Sequence, residues 1–235
     1  MFIVSTSGDR SPEDLTARAR IRDAALARFA ARGYSGTTLK GVAEDAGVSV
    51  GLVQHHFGTK DGLRRACDDF AAQTLASLDG LGVTGGEITD ADFLAGMFRA
   101  SPPVLRYVAR TMVEGTPSAA SFFDSGARVA EEFLSRTWPE RFPPGADRTR
   151  DAAAVMAAMH QATVVLHEHL SRRMGADVLA AENAARIGLA MFDVYGAMAE
   201  FTASETGSAV RRAAEDYQHG TTHPRKDGTS DDRDG

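Results

Sequence analysis

Two short helical runs joined through a glycine, and set directly behind a longer amphipathic one, constrain this chain more than any other feature. In the first run Leu15, Ile21, Ala25, Leu26 and Phe29 recur at steps of three and four, while Arg18, Arg20, Arg22 and Arg28 fall mostly elsewhere. That spacing predicts a helix from about Pro12 to Ala31 with one buried stripe. Gly33 supplies its stop and Tyr34 an amphipathic anchor. Thr37-Thr38 offers an N-cap for a short helix over Leu39 to Ala46, Gly47 permits the left-handed turn that ends it, and Ser49 caps a third helix over Val50 to His56. This is the sequence form of a helix-turn-helix.

A fourth helix opens at Lys60-Asp61 and carries Leu63, Ala66, Cys67, Phe70, Leu75 and Leu78 to about Asp79. Four glycines between Asp79 and Asp90 mark a hinge. Further helices are expected at about Asp90 to Ala100, at Pro102 to Glu114 behind a Ser101 cap, and at Pro117 to Trp138 behind a Thr116 cap. Pro139, Pro143 and Pro144 interrupt the pattern. Two long helices then follow, at about Ala146 to Met174 and Asp177 to Ser204. Both carry alanine and glycine on one side, which lets helices approach closely and suits a four-helix interface between two copies. From Gln218 to Gly235 the chain is too polar to bury a core and is expected to be disordered. The class is all-α: a helix-turn-helix domain over 12–60, a helical effector-binding and dimerisation domain over 61–204, and a tail over 218–235.

Net charge is −6, yet from Ser11 to Arg65 nine Lys/Arg stand against six Asp/Glu, so this end is +3 and the remainder −9. The basic end suits phosphate even though the whole chain is acidic. The single Cys67 forms no internal disulfide, and no apolar run reaches the length of a signal peptide's core or a membrane span. The expected location is the cytoplasm.

Ile21, Ala24-Ala25, Phe29, Gly33-Tyr34, Thr37-Thr38, Val42-Ala43, Ala46-Gly47-Val48-Ser49, Gly51, His55 and Phe57 fall, without a gap, in the order and spacing of a known pattern. The stretch Ile21 to Phe57 resembles the DNA-binding segment of the tetracycline-repressor-like (TetR) family. The resemblance implies a homodimer that binds double-stranded operator DNA and is released by a small-molecule effector. It departs from the family at three places: Gln54 stands where tyrosine is usual, Val50 where a polar or basic residue is frequent, and Gly41 sits inside the second helix, where glycine costs about 1 kcal/mol against alanine.

On that template Thr38, Ser49, Val50, Gly51, Gln54, His55, His56 and Lys60 are the candidate DNA-binding residues. Gln54 is the best base reader, since glutamine pairs bidentately with adenine. His56 and Lys60 are expected at phosphate, Thr38 caps the second helix beside a phosphate, and the basic face of the first helix adds attraction that salt weakens. The apolar residues Met97, Phe98, Leu105, Met112, Phe122, Phe123, Trp138 and Met156, with His160 as a polar contact, are candidates to line an effector pocket, although plain core explains them equally well. His160, His167 and His169 lack the four-residue spacing and carboxylate of a helical metal site, so no metal or other cofactor is expected. No nucleophile elbow, phosphate loop or dinucleotide fingerprint points to an enzyme. The competing function is a helical metabolite-binding or protein-interaction module that has lost DNA binding.

Overall fold

The computed structural model describes residues 12–82 and 102–222, and within them every regular element is a helix. In chain order these are α1 Pro12–Arg32, α2 Leu39–Ala46, α3 Val50–Phe57, α4 Lys60–Gly82, α5 Pro102–Glu114, α6 Pro117–Thr137, α7 Asp147–Val165, α8 His167–Met174, α9 Ala184–Ala203 and α10 Glu205–Thr222. The helix expected at Asp90 to Ala100 lies outside the described residues, as does the glycine-rich stretch beyond Gly82.

The chain divides into a compact unit up to Ala184 and a second from Ala185 onward. The core of the first unit begins on α1, where Ile21, Ala25, Leu26 and Phe29 are sealed from solvent. Val42, Ala43 and Ala46 of α2, Val53 and Phe57 of α3, and Leu63, Cys67 and Ala71 of α4 close on that stripe. The same cluster continues without a break into Val104, Tyr107 and Val108 of α5 and Phe122 of α6. Complete burial of a side chain as large as Leu, Ile or Phe contributes about 1.5–3 kcal/mol, so α1 is the main prop of its neighbours. A smaller cluster of Ala130, Leu134 and Ala153, joined by Phe133, Phe142 and Met156, fastens α6 to α7.

At the end of α1 the chain turns through Gly33 at φ 67, and Thr37, itself buried, donates its hydroxyl to the Gly33 carbonyl at 2.8 Å. The turn sits directly on α5. A Cβ at Gly33 would come within 2.2 Å of Glu114 Oε1 and 2.7 Å of Arg110 Nη2, so glycine is needed for both its backbone and its size. Next to this contact, Tyr107 of α5 and Ser118 of α6 donate hydrogen bonds of 2.5 and 2.7 Å to the two carboxylate oxygens of Asp68 on α4. Burial and the Asp68 hydrogen bond hold the Tyr107 hydroxyl protonated well above the ordinary phenol range.

Three boundaries differ from those the sequence predicts. The run expected as one helix from 146 to 174 breaks at Leu166, where Thr163 donates to the His160 carbonyl at 2.6 Å and the His167 ring to the Val164 carbonyl at 2.9 Å. Side chains that bond nearby carbonyls compete with the helical ladder. His160 and His167 therefore do not lie on one continuous helix. The run expected from 177 to 204 begins instead as a turn and a 3₁₀ segment over Ala181–Asn183. There Asp177 accepts from the Leu179 amide at 3.1 Å, Asn183 donates to the Asp177 carbonyl at 3.0 Å, and α9 starts only at Ala184. Finally, α10 carries order through Thr222, past the expected onset of disorder at Gln218. Ser204 caps it by accepting from the Gly207 amide at 3.1 Å. Residues 218–220 are exposed, in keeping with a polar sequence that buries nothing, but a helix already nucleated propagates on local backbone bonds alone. Residues 223–235 lie outside the described residues.

Cys67 is fully buried at the α1–α4 contact, and burial, aided by the nearby Asp68 charge, pushes its thiol up to about 12. Since the thiolate is the reactive form, iodoacetamide at pH 8 is expected to leave Cys67 unlabelled in the native chain and to label it fully in urea. Rapid native labelling, read by intact mass, would show that this packing opens readily.

Candidate nucleic-acid interface

The reading unit is built from two capped two-turn helices. Thr38, in an extended conformation, accepts the Gly41 amide on Oγ1 at 3.1 Å and so starts α2. Gly47 ends it at φ 65, ψ 40, with the Val48 amide returning to the Ala43 carbonyl at 2.9 Å. Ser49 then starts α3 by accepting the Leu52 amide on Oγ at 3.1 Å.

Burial sorts α3 into two faces. Val53 and Phe57 are buried in the core, whereas Gly51, Gln54 and His55 are exposed. Val50 is half-buried and packs on the core at the edge of the exposed face, so its contribution to any groove is an apolar shoulder. His56 is half-buried, its ring 5.4 Å from that of His55 and 6.1 Å from that of Phe57. Thr38 and Ser49 are exposed at the starts of their helices, with their side-chain oxygens engaged in capping. Position 54 thus offers an outward amide, and position 51 has no side chain to keep another surface away.

Lys60 is placed differently from the simple phosphate clamp expected of it. Its ammonium stands 4.1 Å from the centroid of the Tyr34 ring, and the Arg64 guanidinium 4.9 Å from the same ring. Tyr34 also donates its hydroxyl to Asp61 at 2.5 Å, which keeps the phenol protonated above its ordinary range. The anchor residue after Gly33 therefore collects the first turn of α4 around it. Sequence spacing does not bring these four residues together, because Tyr34 lies 26 positions before Lys60. Other cations of the basic end are similarly occupied: Arg18 stacks on Phe57 at 5.1 Å and Arg22 on Phe70 at 3.6 Å. Arg20 on α1, Lys40 on α2 and Arg65 on α4 are exposed. Lys40, two residues beyond Thr38, is not among the residues that the sequence pattern singles out; its exposure at the start of α2 is what marks it.

The expected effector residues do not converge on one cavity. Phe122 is buried in the large core and Met112 packs against it, whereas Met156 belongs to the small α6–α7 cluster. Leu105 and Phe123 are half-buried, and Met97 and Phe98 lie outside the described residues. Trp138 is 49% exposed, just past α6, edge-on to Phe133 at 5.8 Å. The sequence places it inside the helix; the aromatic ring instead covers the helix end. His160 is half-buried and donates Nδ1 to the Met156 carbonyl of its own helix at 2.7 Å. A cleft of about 250 Å³, open to solvent, lies elsewhere, where Tyr34 and Arg64 meet Tyr107, Arg110 and Glu114. Among the described residues no group of three or more His, Cys, Asp or Glu could hold a metal ion, and no helix is long and apolar enough to cross a membrane.

Residues 21–67 match the family model TetR_N, bacterial regulatory proteins of the tetR family. The chain is 42% identical over 123 residues to the HTH-type transcriptional regulatory protein RaaS of Mycobacterium tuberculosis, a stretch that covers 52% of this chain and 57% of RaaS. It is 51% identical over 49 residues to the HTH-type transcriptional regulator BetI of Burkholderia thailandensis, covering 21% of this chain and 25% of BetI. The match thus spans little more than half the length of RaaS and a quarter of BetI. Among solved structures, a gamma-butyrolactone receptor (ArpA-like protein) has the same fold, with a TM-score of 0.50 at 24% identity over 66% of this chain and 82% of the receptor.

The Ser49 cap is an isolated, exposed contact with a clear expected cost. Ser49→Ala removes the acceptor for the Leu52 amide and is expected to lower stability by about 1 kcal/mol in urea unfolding, while Ser49→Asp retains most of it. Equal stability of all three chains would mean that α3 does not depend on its cap.

Proposed function

With its helix-turn-helix domain this chain belongs to the tetR family of bacterial regulatory proteins, and we propose that it is a sequence-specific transcriptional regulator, a repressor released from a palindromic operator by a small-molecule effector. The observation that carries this reading is the two-faced α3: Val53 and Phe57 locked in the core, Gly51, Gln54 and His55 facing outward. A helix fixed on one side and polar on the other suits insertion into a major groove. Gln54 reads a base edge, His55 and Val50 flank it, and Thr38, Ser49, His56 and Lys60 lie where α2, α3 and α4 meet the phosphates. Lys60 keeps its ring contact with Tyr34 while presenting its charge. The protein acts in the cytoplasm, where the DNA is.

The partner chain is a second copy. Large apolar side chains are left exposed on α9, with Phe192 at 72% and Leu189 at 67%, and on α7, with Val155 at 61% and Met159 at 51%. Such surface is unusual on a monomer and suits a two-fold helical interface. Pairing sets two copies of α3 about 34 Å apart, one turn of DNA. The effector acts by preferring the form in which that spacing is wrong, so it shifts the equilibrium by no more than its differential affinity. The apolar residues of α5, α6 and α7 with His160 supply its site.

Selection of bound sequences from random duplexes tests the reading directly: the expected product is a palindrome, and no enrichment at low salt would overturn it. Against that palindrome Gln54→Ala is expected to weaken binding by about 1–3 kcal/mol and to relax preference at one position of each half-site. An effector found by screening must bind the free chain more tightly than the operator complex by the same factor by which it weakens operator binding.

A further inference from the structure

Gly41 is the one place where the second helix works against its own propensity, and the structure supplies the reason. It is buried, and a Cβ built there would lie 2.1 Å from Arg28 Nη1 and 2.5 Å from Arg28 Cζ. The Arg28 guanidinium, reaching across from α1, occupies the space that any other residue at 41 would fill. From that seat it forms a two-pronged ion pair with Asp45 in the last turn of α2, through Nε to Oδ2 and Nη2 to Oδ1, the latter at 3.1 Å. Only 16% of the Arg28 side chain remains exposed. The groups around the pair are Glu44 beside Arg28 and Arg32 beside Asp45, each opposite in charge to the partner it faces. The hydrogen bond from Arg28 holds the Asp45 carboxyl below the usual range.

We infer that Gly41 and Arg28 form one unit, in which the missing side chain of residue 41 seats the guanidinium on Asp45, and that Arg28 is thereby a positioning residue for the reading helices rather than a contact to the DNA backbone. The reasoning is geometric. Asp45 stands two residues before the Gly47 turn, so a brace from α1 to Asp45 fixes the end of α2 from which α3 departs. A planar fork gripped on both prongs has few donors left for phosphate. The glycine that weakens α2 as an isolated helix is what lets α2 be tied to α1. The role in reading DNA rests on the proposed function; the pairing of Gly41 with Arg28 does not.

A thermal double-mutant cycle on the full chain tests the pairing. Gly41→Ala is expected to lower Tm in the native background, where the new methyl evicts Arg28, and to raise it by about 2–4 °C in an Arg28→Ala background, where only helix propensity acts. A rise in both backgrounds overturns the unit. The positioning role is read with the palindrome that the unmodified chain selects from random DNA. Arg28→Ala, or Arg28→Gln if alanine does not fold, is expected to reduce affinity for that palindrome relative to a random duplex on the order of tenfold. The slope of log K against log salt should remain that of the native chain. A slope shallower by about 0.9 makes Arg28 a ligand of one phosphate and overturns the role. If the unmodified chain selects no duplex, the DNA reading and the positioning role fall together, while the thermal cycle still decides whether Gly41 seats Arg28.

Discussion

The stripe of Ile21, Ala25, Leu26 and Phe29 along α1 is the contact on which the first unit depends. All four are sealed from solvent, and α1 meets α2, α3, α4 and α5. Helices of eight residues such as α2 and α3 are too short to persist alone in water. Their existence, and with it the outward face of Gln54 and His55, follows from having one apolar side pressed on α1. The same core runs on into α5 and α6 through Val104, Tyr107 and Phe122, so the reading helices and the helices behind them share one packed interior. Close-packed interiors transmit small displacements because they do not deform freely. That continuity is the physical basis on which a ligand among α5, α6 and α7 could bias the reading unit, with the Asp68 clasp and the Gly33 contact as the polar and steric parts of the join.

Electrostatics at the N-terminal end are more local than a charge count suggests. Arg18 and Arg22 lie on phenylalanine rings, Lys60 and Arg64 share Tyr34, and Arg28 grips Asp45. These cations hold helices together first. Those on the surface and less encumbered, Arg20, Lys40 and Arg65, are the ones whose charge is most open to phosphate. A charge of +3 over residues 11–65 therefore measures the potential of the face rather than the number of phosphates it touches.

Much of this is legible in the residues, for identifiable reasons. Capping and turn chemistry act within four residues, so Thr38, Gly47 and Ser49 mark their helix ends correctly. Apolar periodicity acts within one helix, so the buried set of α1 is readable too. Pattern and structure part where a local competitor interrupts an otherwise helical run: Thr163 and His167 around Leu166, and Asp177 with Asn183 ahead of α9. Helix α10 escapes the pattern for the opposite reason. Its surface is polar nearly all round, with Tyr217 at 76% exposure, so it lacks the apolar stripe that announces a helix.

By itself the sequence determined the helical class, the helix-turn-helix and which residues of α3 face inward, because each of these is set by neighbours three or four positions away. Tertiary structure alone decided what the long side chains do. Lys60 meets Tyr34 across 26 positions and Arg28 meets Asp45 across 17. It also turned Gly41 from a local weakness into a seat. Long flexible cations choose partners by proximity in three dimensions, and the packing of α1 on α2 and α4, which creates that proximity, is written in no single stretch of the chain.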